Sequence, residues 1–198
     1  MFGDSLPSPR LPPDLMTYYP GVFNRQESNF LMNEFISNVP WQQRKITMYG
    51  NLMITPRLTA WYGDEGTGYA FSGTKFDPLP WTKDLQQMRE TVQEITGTTF
   101  NSVLLNFYRD GNDSVAWHSD DEDELGLKPV IASVSLGQER RFDVRNKTDH
   151  QQKYAVNLEN GSLLLMKGDM QHNWEHRIAK STKVLKERVN LTFRVIHK

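Results

Sequence analysis

The pattern of apolar positions changes at Gly97. Before it, apolar side chains recur at helical spacing in two stretches. From about Gln26 to Asn38, with Val39 just beyond, Phe30, Leu31 and Phe35 put most of the apolar surface on one stripe, which predicts a helix. A second helix is predicted from Thr82, a natural N-cap, through Leu85, Met88, Val92 and Ile95 to a stop at Gly97. Beyond Gly97 the period drops to two, in short runs divided by turn residues. Thr99–Tyr108, Ser114–His118, Val130–Leu136, Arg141–Arg145, Tyr154–Leu158, Ser162–Met166 and Arg188–Ile196 each predict a strand. Asn160-Gly161, between two of these runs, is the strongest hairpin signal in the chain. A further hairpin is predicted over Lys45–Thr59, turning at Tyr49-Gly50-Asn51.

Helices first and many short strands afterwards predict an α+β fold with a double-stranded β-helix, or jelly roll, as its core. That core spans about residues 99–196, and the N-terminal helices should pack on one of its sheets. Half of the ten prolines lie among the first twenty residues, so residues 1–20 read as a Pro-rich flexible arm and 21–198 as a single domain. No apolar run approaches the roughly 20 residues that span a bilayer, and no signal-peptide core follows Met1. Without cysteine, thiolate zinc sites, iron–sulfur clusters and disulfides are excluded. The net charge of −1 hides an asymmetry. Residues 1–139 carry 10 Lys/Arg against 18 Asp/Glu, and residues 140–198 carry 13 against 6, that is −8 against +7. A polyanion would therefore meet the C-terminal third, at Arg140, Arg141, Arg145, Lys147 and Lys153, although charge alone reads first as a solvated basic face.

The candidate chemistry centres on His118-Ser119-Asp120 and a later histidine. Period two puts His118 and Asp120 on one face of a strand, where both can reach one ion. His176 is the third candidate and His172, four residues upstream, its rival. Two imidazoles and a carboxylate suit one face of a non-haem Fe(II) ion, leaving the other face for co-substrate and dioxygen. In Arg188-Val189-Asn190-Leu191-Thr192-Phe193-Arg194 the odd partners are core and the even ones a polar stripe. Two buried guanidiniums need anions, which an acidic co-substrate or salt bridges to the protein's own acids would supply. Asn106 and Tyr108 alternate in the same way and can reach the same carboxylates. Asp121, Glu122, Asp123 and Glu124 read, by composition, as a solvated turn.

Taken in order, six motifs resemble the AlkB family of Fe(II)- and 2-oxoglutarate-dependent nucleic-acid dealkylases. They are Pro56-Arg57-Leu58-Thr59-Ala60-Trp61-Tyr62-Gly63, Tyr69-Ala70-Phe71-Ser72-Gly73, Asn106-Phe107-Tyr108, His118-Ser119-Asp120-Asp121-Glu122, Trp174-Glu175-His176 and Arg188 to Arg194. The resemblance covers roughly residues 20–196. It implies Fe(II) on His118, Asp120 and His176, and 2-oxoglutarate on Arg188 and Arg194 with Asn106, Tyr108 and Asn190. It implies a flipped-out base between Phe71 and His118, lined by Tyr69 and Ser72 and contacted by Asp121 and Glu122. About residues 40–75 would be the nucleotide-recognition region, with a hairpin carrying Met48, Tyr49, Leu52 and Met53 as an apolar wedge. The implied reaction is oxidative demethylation of 1-methyladenine or 3-methylcytosine with dioxygen, releasing formaldehyde, succinate and carbon dioxide. Alkylated DNA is the implied partner, single- or double-stranded, with RNA open. A monomer is expected, away from membranes and inside the cell: cytoplasmic in a bacterium, nuclear in a eukaryote. The alternative keeps the iron site but hydroxylates a protein or a small molecule.

Overall fold

The computed structural model describes residues 11–48, 51–71 and 74–197, with the side chains of 45–48, 51–53, 69–71 and 74–76 outside that description. The chain opens with β1 (Met16–Tyr19) and α1 (Arg25–Asn38), followed by β2 (Gln42–Met48) and β3 (Asn51–Gly63). Next come β4 (Tyr69–Phe71), β5 (Thr74–Phe76), α2 (Lys83–Thr96), β6 (Ser102–Tyr108) and β7 (Val115–His118). The C-terminal half holds β8 (Ile131–Gly137), β9 (Arg140–Asn146), β10 (Lys153–Leu158), β11 (Ser162–Met166), the single-turn α3 (Met170–Asn173), β12 (Trp174–Ile178) and β13 (Arg188–Arg194). They form a large sheet in the order β1-β11-β8-β13-β6-β3-β2 and a small sheet in the order β10-β9-β12-β7. β4 and β5 pair separately as a two-stranded ribbon. The two main sheets enclose an apolar layer and an open cleft, the jelly roll expected from the strand spacing.

Alternation along β13 decides which face does what. Val189, Leu191 and Phe193 are fully buried on the outer face of the large sheet, in one cluster with Leu31 and Phe35 of α1 and Leu85, Met88 and Val92 of α2. Both helices thus cover the same sheet face. Asn24 caps α1 by accepting from Glu27 N at 3.0 Å, which starts it one residue earlier than the apolar stripe suggested. Phe30, placed on that stripe, is 57% exposed; the buried positions are Ser28, Leu31 and Phe35. α2 matches its expected bounds, with Thr82 accepting from Leu85 N and Gly97 ending it at φ 67°. Between the sheets lie Phe142, Val144, Leu158, Trp174 and Ile178 of the small sheet, against Ile131, Leu164 and Met166 of the large one.

Two expectations are corrected. Residues 16–19, counted in the flexible arm, form the edge strand β1 in register with β11, Met16 opposite Met166 and 1% exposed. Proline density ends at Pro13, and Met16 supplies an apolar anchor that the count of prolines concealed. Asn160-Gly161 is no hairpin turn: β10 belongs to the small sheet and β11 to the large one. Gly161 does take the left-handed conformation its type allows, φ 78°, but at a corner between sheets. There its N–H donates to Ser135 O at 2.7 Å and its carbonyl accepts from Phe23 N at 3.0 Å. A Cβ at this position would collide with the Phe23 carbonyl. β2 and β3 do pair antiparallel, Met48 opposite Asn51, while the turn at Tyr49-Gly50 and the wedge side chains lie outside the described residues. Among the described residues, no helix is long and apolar enough to cross a membrane.

Candidate iron and co-substrate site

His118 ends β7 and sits directly opposite His176 of β12 in the small sheet. Their rings lie 4.3 Å apart, and His176 also stacks on Phe142 at 5.0 Å. Asp120 falls just past the end of β7, so the pleat does not aim it. It is turned inward by two buried partners: its N–H donates to Gln171 Oε1 at 2.9 Å, and its Oδ1 accepts from Arg194 Nη2 at 2.9 Å. One ligand atom from each of His118, Asp120 and His176 lies within 4.8 Å of the others. The spacing argument therefore picked three residues that the fold brings together, with a wrong reason for the aspartate. His172, the rival, is exposed and lies away from this group, beside Asp121 and Asp123.

Protonation favours a metal here. His118 Nδ1 is 2.9 Å from the Ala116 carbonyl, which only accepts, so Nδ1–H donates to it and Nε2 is the nitrogen left for an ion. Burial, and then repulsion from His118, lowers His176 to about 3, so its imidazole is neutral near pH 7. Burial works against ionising Asp120, but Arg194, with the imidazoles beside it, overrides that and holds the carboxyl at about 2. Two imidazoles, that of His176 neutral, and a carboxylate fit a divalent iron ion. His176 Nδ1 is buried with no hydrogen-bond partner among the described residues.

The polar row of β13 lines the same cleft, a space of about 630 Å³. Its neighbours follow from register: Asn190 stands opposite Asn106 of β6 and Ser135 of β8, and Asn106 opposite Thr59 of β3. The two arginines have different partners. Arg194 is engaged with Asp120. Arg188 is 1% exposed, donates to Ser135 Oγ at 2.9 Å, and keeps Nε and Nη1 buried with no hydrogen-bond partner among the described residues. Its guanidinium lies 5.0 Å over the Tyr108 ring, and burial pushes it down to about 10. Such a cation, with two donors left over, is built to receive an anion. Asn190 spends its amide inside the sheet, donating to Ser133 Oγ and Val134 O and accepting from Thr192.

A family model, the 2OG-Fe(II) oxygenase superfamily, matches residues 15–194. The chain belongs to that superfamily. Its curated relatives place this oxygenase on the AlkB branch. "Alpha-ketoglutarate-dependent dioxygenase alkB homolog 3" of Rattus norvegicus is 40% identical over 188 residues, covering 90% of this chain and 63% of the relative. The human protein of that name is 39% identical, with 65% of it covered. "DNA oxidative demethylase ALKBH2" of Homo sapiens is 38% identical over 188 residues, with 90% of this chain and 72% of the relative covered. This oxygenase spans just under two thirds of the alkB homolog 3 proteins. Among solved structures, "The structure of OsALKBH1" superposes with a TM-score of 0.64 at 15% identity, covering 94% of this chain and 100% of that one, which bears on the fold alone.

The remaining expected residues divide. Asn106 and Tyr108 line the cleft, and so does Glu122. Asp121 does not: it is exposed and accepts from Lys147 Nζ at 3.2 Å. Tyr69 and Phe71 stand in the short ribbon strand β4, their side chains, like Ser72, outside the described residues. Arg140, counted in the basic surface, is 4% exposed and donates to the carbonyls of Asp110, Asp113 and Ala179. Charge counting could not separate it from Arg141, which is exposed. Sequence reasoning missed Ser133 and Ser135, although two serines alternating with Ala132, Val134 and Leu136 in an apolar strand mark a polar inner face. It also missed Gln171, for which no pattern signal exists.

Proposed function

We propose that this oxygenase is a nucleic-acid dealkylase, removing methyl groups from N-alkylated bases such as 1-methyladenine and 3-methylcytosine in DNA. The observation that carries the oxidative part is the adjacency of a His-Asp-His group to a buried arginine with two spare donors. In this reading His118, Asp120 and His176 hold Fe(II), and Arg188 receives a carboxylate of 2-oxoglutarate with Tyr108 and Asn106 beside it. Arg194 serves the other end, orienting Asp120 while facing the co-substrate, and Asn190 braces the row through Ser133. When bound, iron and 2-oxoglutarate supply the oxidising power that hydroxylates the N-methyl carbon, after which formaldehyde leaves and the base is restored. The protein's share is position: no side chain need act as a nucleophile.

The nucleic-acid part rests on the relatives' names and on residues 40–75, read as the recognition region of one domain that spans residues 21–198. Tyr69, Phe71, Ser72 and Glu122 form the base pocket in this proposal, with Asp121 at its outer edge. The target atom lies inside the base stack, so the base enters flipped or from a single strand. RNA joins DNA as a substrate in the same pocket, and the protein works as an intracellular monomer. The test offers protein, Fe(II), ascorbate and 2-oxoglutarate an oligonucleotide carrying 1-methyladenine or 3-methylcytosine. Loss of one methyl mass with stoichiometric formaldehyde is expected. Retained methyl groups in iron-loaded protein that still converts 2-oxoglutarate to succinate would move the substrate to a protein or small molecule. DNA affinity should fall as salt rises, because phosphate contacts release counterions.

A further inference from the structure

We propose that Arg57 is a positioning residue for the co-substrate, acting through the amide of Asn106. The inference rests on the reading of Asn106 as a 2-oxoglutarate contact. Arg57 Nε lies 2.8 Å from Asn106 Oδ1. A guanidinium has no acceptor, so the atom that faces it must be the amide oxygen. That contact fixes the flip of Asn106 and leaves Nδ2, with both its N–H groups, as what the residue presents to the cleft it lines. Without Arg57 the amide can rotate, and half of its orientations offer an oxygen lone pair where an anion needs a donor.

The same guanidinium has a second anchor. Its Nη1 donates to Ser114 O at 3.3 Å, and Ser114 N donates in return to Pro56 O at 2.8 Å. Ser114 is buried and immediately precedes β7, whose last residue is His118. Arg57 therefore joins the co-substrate side of the cleft, on β6, to the root of the strand that carries an iron ligand. A residue whose job was only to meet the nucleic acid would not need both Nε and Nη1 committed to protein acceptors.

The test is a double-mutant cycle read by binding, using Mn(II)-loaded protein and 2-oxoglutarate titrated by calorimetry. Asn106→Ala alone must weaken 2-oxoglutarate; if it does not, the co-substrate reading of Asn106 fails and the proposal falls with it. Arg57→Met is expected to weaken 2-oxoglutarate about three- to tenfold, the equivalent of one hydrogen bond, with Arg57→Lys, which keeps a donor, recovering most of the loss. In the Asn106→Ala background Arg57→Met should add little. An equal loss in both backgrounds means that Arg57 touches the co-substrate directly and overturns the proposal. So does an unchanged 2-oxoglutarate affinity with weakened binding of a labelled oligonucleotide, which would make Arg57 a nucleic-acid contact. Should Arg57→Met not fold, Arg57→Gln is measured in its place against the same outcomes.

Discussion

Replacing Arg188 with methionine should push stability and co-substrate affinity in opposite directions. The side chain is 1% exposed, and burial pushes its guanidinium down to about 10, a cost to the charged form of roughly 3 kcal/mol. The bond to Ser135 Oγ returns about 1 kcal/mol of that and the Tyr108 ring beneath the guanidinium a further part, while Nε and Nη1 have no hydrogen-bond partner among the described residues. Methionine has similar length and no donors. Metal-free Arg188→Met should therefore match or exceed the parent, by up to about 2 kcal/mol, as when other buried charges give way to apolar groups. For a chain of this size that is a rise in Tm of up to about 4–8 °C. The ligand term has the other sign. Two charge-assisted bonds to a carboxylate contribute about 3–6 kcal/mol, so the variant should lose roughly 10²- to 10⁴-fold in 2-oxoglutarate affinity. Thermal melts read both. At 100 times the parent's Kd, 2-oxoglutarate should stabilise the Mn(II)-loaded parent by about 2.7 kcal/mol, or about 5–11 °C, and the variant by at most about 0.4 kcal/mol, or about 1–2 °C. A metal-free variant melting several degrees lower would show that the cation is paired inside the protein. A retained ligand shift would refute the clamp.

The ligand residues should separate by their surroundings. Asp120→Ala strips Arg194 of its buried partner and should lower stability by about 3–5 kcal/mol, whereas His118→Ala, at a half-exposed position, should leave the metal-free Tm nearly unchanged. Both should lose iron in a metal-content assay, and an iron-replete His118→Ala would remove it from the ligand set. The pH dependence has a definite sign. His176 is lowered to about 3 by burial, so between there and its ordinary 6.5 the unfolded chain binds more protons, and metal-free stability should fall as pH drops through that window. Asp120, held at about 2, adds a further loss below its ordinary 3.8, as pH falls toward that value. His176→Phe should flatten the slope between pH 6.5 and 4 in melts, and an unchanged slope would assign it to other groups. Gly161→Ala should cost at least about 2 kcal/mol in urea unfolding, since φ 78° and the Phe23 carbonyl both exclude a Cβ; a change below 1 kcal/mol would mean that the corner relaxes.

What the sequence made legible was whatever depends on period. The two faces of β13 follow from alternation alone, and the register that sets Asn106 opposite Asn190 carries the same stripe onto the next strand. Local signals failed where a contact distant in sequence chose between outcomes. Asn160-Gly161 has the chemistry of a hairpin turn, yet its strands leave for different sheets because Gly161 is bonded to Phe23 and Ser135. Asp120 reaches the ligand group through Gln171 and Arg194, 51 and 74 residues away. Arg57 is bound to an amide 49 residues distant. Each of these is a buried or half-buried polar group whose partner sits on another element, and no periodicity encodes the partner. The same physics explains why such groups gather at this cleft. A site that must receive a metal and an anion keeps charged and polar atoms out of water, and each is tolerable only with a partner. His118, Asp120 and Arg194 find theirs within the fold. Two donors of Arg188 have no hydrogen-bond partner among the described residues, and that is where a bound anion gains most.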